Sequence, residues 1–172
     1  VLEFRGPTQL NRVDETNAAS TVVRGGRGTW NLKSGLLQAP GPVQAIRSDG
    51  RTLSASGLDG NTRQGYLDLQ QPVTLVLESD RGRITAGRTR WLFSAEQLES
   101  DQPIQAELKN SKVQGRGFKL DQRTGTVIIS NSCRVEQTLE TLTAQRCAWN
   151  WRSERVVACL LYTSDAADEP SS

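Results

Sequence analysis

Apolar residues recur at every second position in short stretches along this chain. Val73, Leu75 and Leu77 form one such row, Trp91 and Phe93 a second, and Ile104, Ala106 and Leu108 a third. Alternation of this kind puts each row on one face of a pleated strand and the intervening residues on the other. Turn formers separate the rows, as in Ser48-Asp49-Gly50, Leu58-Asp59-Gly60-Asn61, Ser79-Asp80-Arg81-Gly82 and Gln122-Arg123-Thr124-Gly125. Turn signals arriving about every 8–12 residues are the spacing of all-β folds. No window carries a 3.6-residue stripe, and the best helical candidate, Ser94 to Leu98, is a single turn. The pattern predicts strands near residues 20–24, 28–33, 42–48, 51–57, 66–70, 72–79, 83–93, 103–109, 112–118, 126–130, 133–138, 141–151 and 155–158.

The strands belong to a larger period. Trp30-Asn31-Leu32, Trp91-Leu92-Phe93 and Trp149-Asn150-Trp151 have the same form, the first two 61 residues apart and the third 58 further on. Pro42-Val43-Gln44-Ala45 follows the first tryptophan at the distance at which Pro103-Ile104-Gln105-Ala106 follows the second. Ser56-Gly57-Leu58 aligns with Arg116-Gly117-Phe118, and Gly65-Tyr66-Leu67 with Gly125-Thr126-Val127. Self-similarity at a fixed spacing implies one structural unit laid down repeatedly. The expected organisation is the end of a preceding repeat or a linker at 1–19, then repeats near 20–80 and 81–140, then the start of a third at 141–158.

Composition narrows the picture. The chain has 172 residues, enough for a real core, yet is only 35% apolar and 5% aromatic, which suits a thin, solvent-rich β structure. No run of 18 apolar residues is present. Val1 opens directly on strand-like sequence, so we expect a piece of something longer. Residues 159–172, Cys-Leu-Leu-Tyr-Thr-Ser-Asp-Ala-Ala-Asp-Glu-Pro-Ser-Ser, are unlike the rest and resemble the in-frame translation of a transposase adapter used for sequencing libraries. We expect this tail to be disordered and without biological content. Its three acids lower the formal charge, which without them rises from +2 to +5. Of the three cysteines, Cys159 lies in this tail. Cys133 and Cys147 flank a hairpin-like stretch, where a cross-strand disulfide would suit an oxidising compartment. Two buried free thiols are the alternative.

Candidate chemistry is sparse. The chain has no histidine, which removes the commonest general base, the usual activators of serine and cysteine nucleophiles, and most zinc sites. No spacing matches a calcium loop or a phosphate-binding loop. Asp49, Asp59, Asp80 and Asp121 fall at turns, where aspartate caps its own backbone, so a pair of catalytic carboxylates is not expected. The arginines, among them Arg24, Arg27, Arg81, Arg83, Arg88 and Arg90, are interspersed with acids rather than with exposed aromatics. That argues for a solvated surface, with some positions able to meet anionic head groups, and against nucleic acid. The expectation is a protein that is not an enzyme and has no metal or cofactor.

The run Gly57-Leu58-Asp59-Gly60-Asn61-Thr62, with Gly65-Tyr66-Leu67-Asp68-Leu69 and Pro72-Val73, resembles the LptC family of lipopolysaccharide export proteins, part of the LptA/LptC/OstA-like superfamily. So do Ile84-Thr85-Ala86-Gly87 before Trp91, Leu98-Glu99-Ser100-Asp101-Gln102-Pro103-Ile104, and Val113-Gln114-Gly115-Arg116-Gly117-Phe118. The cysteine pair and the tandem units look more like the longer cyanobacterial versions. The likeness covers about residues 20–158. It implies a twisted, open antiparallel β-jelly roll whose apolar trough carries the acyl chains of lipopolysaccharide through the periplasm. It further implies an N-terminal helix tethering the protein to the inner membrane, an ABC transporter complex as lipid donor, and an LptA-like bridge protein as acceptor through strand-edge pairing.

The lining of such a trough would come from Trp30, Leu32, Leu75, Leu77, Trp91, Phe93, Ile104, Phe118, Trp149 and Trp151. Sequence alone leaves open that the same residues pack against one another as a closed core. A second reading also stands at this stage: an extracellular β-solenoid adhesin or glycan-binding repeat protein with a sealed interior.

Overall fold

The computed structural model describes residues 1–13 and 20–163. These residues form strands and turns with one 3-10 turn at Glu78–Asp80; no α-helix occurs among the described residues, and none is long and apolar enough to cross a membrane. Every strand pairing is antiparallel, and the pairings trace two sheets.

Sheet I begins with β2 (Thr8–Val13) and β3 (Ser20–Gly25), and continues through β6 (Val43–Arg47), β7 (Thr52–Ala55), β10 (Val73–Val76) and β11 (Gly82–Ala86). Sheet II begins with β1 (Leu2–Phe4), β4 (Gly28–Trp30) and β5 (Leu36–Ala39), followed by β8 (Leu58–Asn61), β9 (Tyr66–Leu69) and β12 (Thr89–Leu92). The chain alternates between them in pairs of short strands. From β13 (Gln97–Leu108) onward, each strand is long enough to serve both sheets. The first residues of β13 pair with β12 in sheet II, and its last five pair with β11 in sheet I. Then β14 (Ser111–Asp121), β15 (Thr126–Gln137), β16 (Thr141–Asn150) and β17 (Arg155–Thr163) add to both sheets at once.

The long strands bend where they pass from one sheet to the other. Register shifts fall between Ser100 and Pro103, Gln114 and Arg116, and Ile129 and Cys133, as β-bulges permit. At the middle bend, Gly115 is required: a Cβ there would lie 2.3 Å from Ile129 Cγ2. At the third, a disulfide joins Cys133 to Cys147, with Cα atoms 6.0 Å apart. Cys133 stands opposite Ala144 in sheet I and Cys147 opposite Ile129 in sheet II, so the bond spans the fold line.

The inner faces carry the alternating residues. Val43 and Ala45, Leu53 and Ala55, Val73 and Leu75, Ile84 and Ala86 from sheet I are buried, as are Leu37, Leu58, Leu67, Leu69 and Leu98 from sheet II. Each fully buried leucine, valine or isoleucine contributes roughly 1.5–3 kcal/mol by leaving water.

Three local expectations change. Leu58-Asp59-Gly60-Asn61 forms β8 rather than a turn, because β5 and β9 flank it and take up its backbone groups. Leu36–Ala39 forms a strand that the apolar pattern did not mark. Ser94–Leu98 is not helical: the chain turns at 93–96, and Gln97–Glu99 pair back onto Arg90–Leu92. Toward the C-terminus, β17 runs through Thr163 in register with β16, past Ala158 where the disordered tail was expected to begin. The backbone of β16 is paired with β17 from Asn150 opposite Arg155 to Leu142 opposite Thr163. The rest of that tail, and residues 14–19, lie outside the described residues.

Candidate functional site

The turns lie in two rows, one along the outer rim of each sheet. Sheet II ends in turns at 31–35, 62–65, 93–96, 122–125 and 151–154; sheet I ends in turns at 48–51, 77–81, 109–110 and 138–140. Four of the five sheet II turns share one construction. The side-chain oxygen of Asn31 accepts from the amides of Lys33 and Ser34. Asn61 does the same for Arg63 and Gln64, Asp121 for Arg123 and Thr124, and Asn150 for Arg152 and Ser153. Four residues after the capping side chain the backbone turns left-handed, at Gly35, Gly65, Gly125 and Glu154. Asparagine or aspartate capping followed by a residue with positive φ is the chemistry such turns need. The turn at 93–96 lacks the cap: Leu92 stands at the capping position, while Glu96 takes the left-handed one with φ of 54°.

Between the sheets on the N-terminal side lies an open cavity of about 270 Å³. Val23, Ala45, Leu53 and Leu75 line it from sheet I; Trp30, Leu37, Leu58, Leu67 and Trp91 line it from sheet II, with Phe93 at the rim. Trp91 and Phe93 meet edge to face with ring centroids 6.1 Å apart. The Trp30 indole donates to the Thr62 hydroxyl at 3.1 Å, leaving its apolar faces free for the cavity.

At its inner end the cavity meets charge. Arg47, Arg51, Glu96 and Gln122 border it. Arg51, only 5% exposed, donates to Asp49 at 2.6 Å and to the Gln122 carbonyl at 3.0 Å. Arg47 pairs with Asp49 and with Glu96, and Arg123 reaches Glu96 at 3.3 Å. Further along, Glu78 accepts from Trp151 Nε1 at 3.1 Å and from Arg152 Nε at 3.0 Å, and Arg81 donates to the Arg152 carbonyl at 2.8 Å. These contacts join the sheet I rim to the sheet II rim. Burial opposes ionisation of Glu78, but the hydrogen bonds from Arg152 and Trp151 and the attraction of Arg51 outweigh it and hold its pKa below the ordinary value. Burial likewise opposes ionisation of Asp49, and hydrogen bonds from Arg51 with the nearby Arg47 charge bring its pKa below the usual range.

Beyond the charged cluster the space between the sheets is filled. Val113, Leu120, Val127, Ile129 and Val135 are packed there with almost no exposure. The structure therefore divides the sequence-derived candidates. Trp30, Leu75, Trp91 and Phe93 line the cavity together. Leu77, Ile104, Trp149 and Trp151 are buried in packed interior, and Phe118 is buried beside a polar outer recess with Asp68 and Arg88. Leu32 is 55% exposed in its turn and does not line this cavity. Sequence reasoning missed Val23, Leu37, Leu53, Leu58 and Leu67, and it missed the charged inner end. The recurrence of Asn31, Asn61, Asp121 and Asn150 at about thirty residues or twice that was the signal available for the rim. Among the described residues no three His, Cys, Asp or Glu side chains gather as a metal site.

This two-sheet arrangement has a solved counterpart. The crystal structure of LptH, the LptA-homologous periplasmic component of the lipopolysaccharide transport device of Pseudomonas aeruginosa, matches with a TM-score of 0.55 and 15% sequence identity. The match covers 71% of this chain and 90% of that one. The fold is thus the all-β, open antiparallel jelly roll, and the likeness is to an LptA homologue rather than to LptC in particular. No protein-family model and no curated protein matches the sequence.

Proposed function

We propose that this protein carries lipopolysaccharide across the periplasm, holding acyl chains in the cavity between its sheets. The observation that supports this reading is an open, apolar space lined from both sheets by Trp30, Leu75, Trp91 and Phe93, in the fold of a lipopolysaccharide-transport component. Acyl chains need burial and no chemistry, and each methylene moved out of water contributes about 0.8 kcal/mol. An open cavity between sheets favours this over an adhesin with a sealed interior. In the finer form of the proposal, the lipid arrives from an inner-membrane ABC transporter complex to which an N-terminal helix tethers the protein. It then leaves toward an LptA-like partner that pairs with an edge strand, β17 or the β1 and β2 end.

A photo-crosslinking residue at Phe93 tests the reading. It should capture lipopolysaccharide in envelope preparations, and the further substitution Trp91→Asp should abolish capture while circular dichroism stays β-rich. Capture that is unchanged by Trp91→Asp, or that occurs equally from exposed Leu139, would overturn it.

A further inference from the structure

We propose that the ion pairs joining the two rims form a latch, and that releasing it extends the cavity from the N-terminal half into the C-terminal half. The proposal rests on the carrier reading and adds how the path is opened.

The latch residues come from opposite rims, whose turns are joined along each rim by strand pairing but not across the mouth. Arg47, Asp49 and Arg51 sit around the β6–β7 turn, and Glu78 and Arg81 around the β10–β11 turn, all on the sheet I rim. Glu96, Gln122, Arg123, Trp151 and Arg152 sit in three turns on the sheet II rim. The contacts between them bridge sequence separations from 49 to 74 residues. The first two sheet II turns bond to each other, Asn61 Nδ2 donating to the Ser34 carbonyl and Arg63 to the Lys33 carbonyl, as later turns also do through Arg123 to Ser94 and Arg152 to Gln122. Among the described residues, though, these first two make no ion pair to the sheet I rim, as the later turns do. The mouth is open beside these turns and tied beside the other three. The open stretch coincides with the cavity and the tied stretch with the packed interior.

The sequence at Glu96 points the same way. Of five equivalent turns, only this one lacks the capping Asn or Asp; its left-handed position holds a glutamate, as Glu154 does in the last turn, where the other three have glycine. A left-handed conformation at such a residue is unfavourable and persists where other contacts hold it. Here those contacts are Arg47 and Arg123. Departure from a local rule at one position of a repeated element marks a site with a role besides folding. A latch made of charges also suits a passage for hydrocarbon. Closed, its charges pair with one another, although Arg47 Nε and Glu78 Oε2 are left without a hydrogen bond; open, they return to water at the mouth, and apolar Leu120, Val127 and Ile129 lie beyond for an acyl chain to reach.

The test labels the packed interior. Val127, with no exposure, is changed to cysteine in a Cys159→Ser background, which leaves one free thiol beside the disulfide. Labelling by a maleimide dye is then timed with the latch intact and in Glu78→Gln/Glu96→Gln. We expect labelling to quicken about tenfold or more, an equilibrium change of about 1.4 kcal/mol or more. The urea dependence of this labelling should be much weaker than that of global unfolding. Salt near ~1 M, where the Debye length is about 3 Å, should quicken labelling of the unaltered latch in the same direction. If the double variant does not fold, Arg123→Gln and the salt series decide. Labelling that stays constant in both, or that tracks global unfolding, overturns the latch. Binding of cis-parinaric acid, competed by lipopolysaccharide, is followed in parallel. Binding with unchanged labelling removes the latch and leaves the carrier; faster labelling without binding removes the carrier and leaves the latch.

Discussion

Replacing Leu75 and Leu120 by alanine, one at a time, asks whether the space between the sheets is hollow on one side and filled on the other. Both are mid-strand leucines facing inward, 3% and 1% exposed; Leu75 lines the cavity, whereas Leu120 does not. Each truncation removes three carbons, a transfer loss of about 2.4 kcal/mol at ~0.8 kcal/mol each. Leu120 stands between Leu98 and Val127 on neighbouring strands, so its removal leaves a new void. The void raises the total to about 3–5 kcal/mol. At Leu75 the vacated volume merges with space that is already empty, and the loss should stay near the transfer value, about 1.5–2.5 kcal/mol. Urea unfolding followed by tryptophan fluorescence measures both. With a slope of about 1–3 kcal/mol per molar urea, a difference of 1 kcal/mol separates the two midpoints by roughly 0.3–1 M. Equal midpoints, or a larger loss at Leu75, would refute the hollow cavity and with it the reason for placing acyl chains there.

Three further outcomes follow from the geometry. Replacing Cys133 and Cys147 together by serine should lower stability by about 3 kcal/mol, since the bond closes a loop with a separation of 14 residues; urea unfolding with and without reductant checks this. Gly60→Ala should prevent native pairing of β8 with β9, because a Cβ there meets the Tyr66 carbonyl oxygen at 2.4 Å, whereas Gly41→Ala, with nothing within 4 Å, should be nearly neutral by thermal melt. Asp49, facing Arg47 and Arg51, and Glu78, facing Arg51, Trp151 and Arg152, both titrate below their ordinary values of 3.8 and 4.5. A carboxylate with a depressed folded-state pKa adds stability that is complete above its ordinary value and is lost as the pH falls through the lowered one. The urea midpoint should therefore be level above about pH 5 and drop below pH 4, a loss that Asp49→Asn/Glu78→Gln should blunt.

How much of this was legible before the structure depended on what each residue had to do. Rows such as Val73-Leu75-Leu77 and Ile104-Ala106-Leu108 announce strands because one face is buried, and the period of the tryptophans points to stacked strands. β5 and β8 were not legible: Leu36–Ala39 is too short to establish alternation, and Asp59-Gly60-Asn61 has turn composition. Those segments are strands because partners on both sides satisfy their backbones, a decision made at the tertiary level. The cavity was half legible. Trp30, Leu75, Trp91 and Phe93 look the same in sequence as Ile104, Trp149 and Trp151, and only the spacing between opposed rims separates lining from core. The charged cluster was invisible because its members come from five turns, and nothing local distinguishes Arg51 among the many arginines.

Strand pairing among the described residues is short in sequence range. Among the described residues the most distant partners in any ladder, Leu2 and Trp30, are 28 residues apart, and successive sheet II turns follow at about thirty-residue intervals. A segment from one sheet II turn to the next could therefore be removed or inserted, and every other strand would keep neighbours of the same kind. Length becomes a quantity that duplication of a gene segment can set freely, and only the charges across the mouth would need to find new partners.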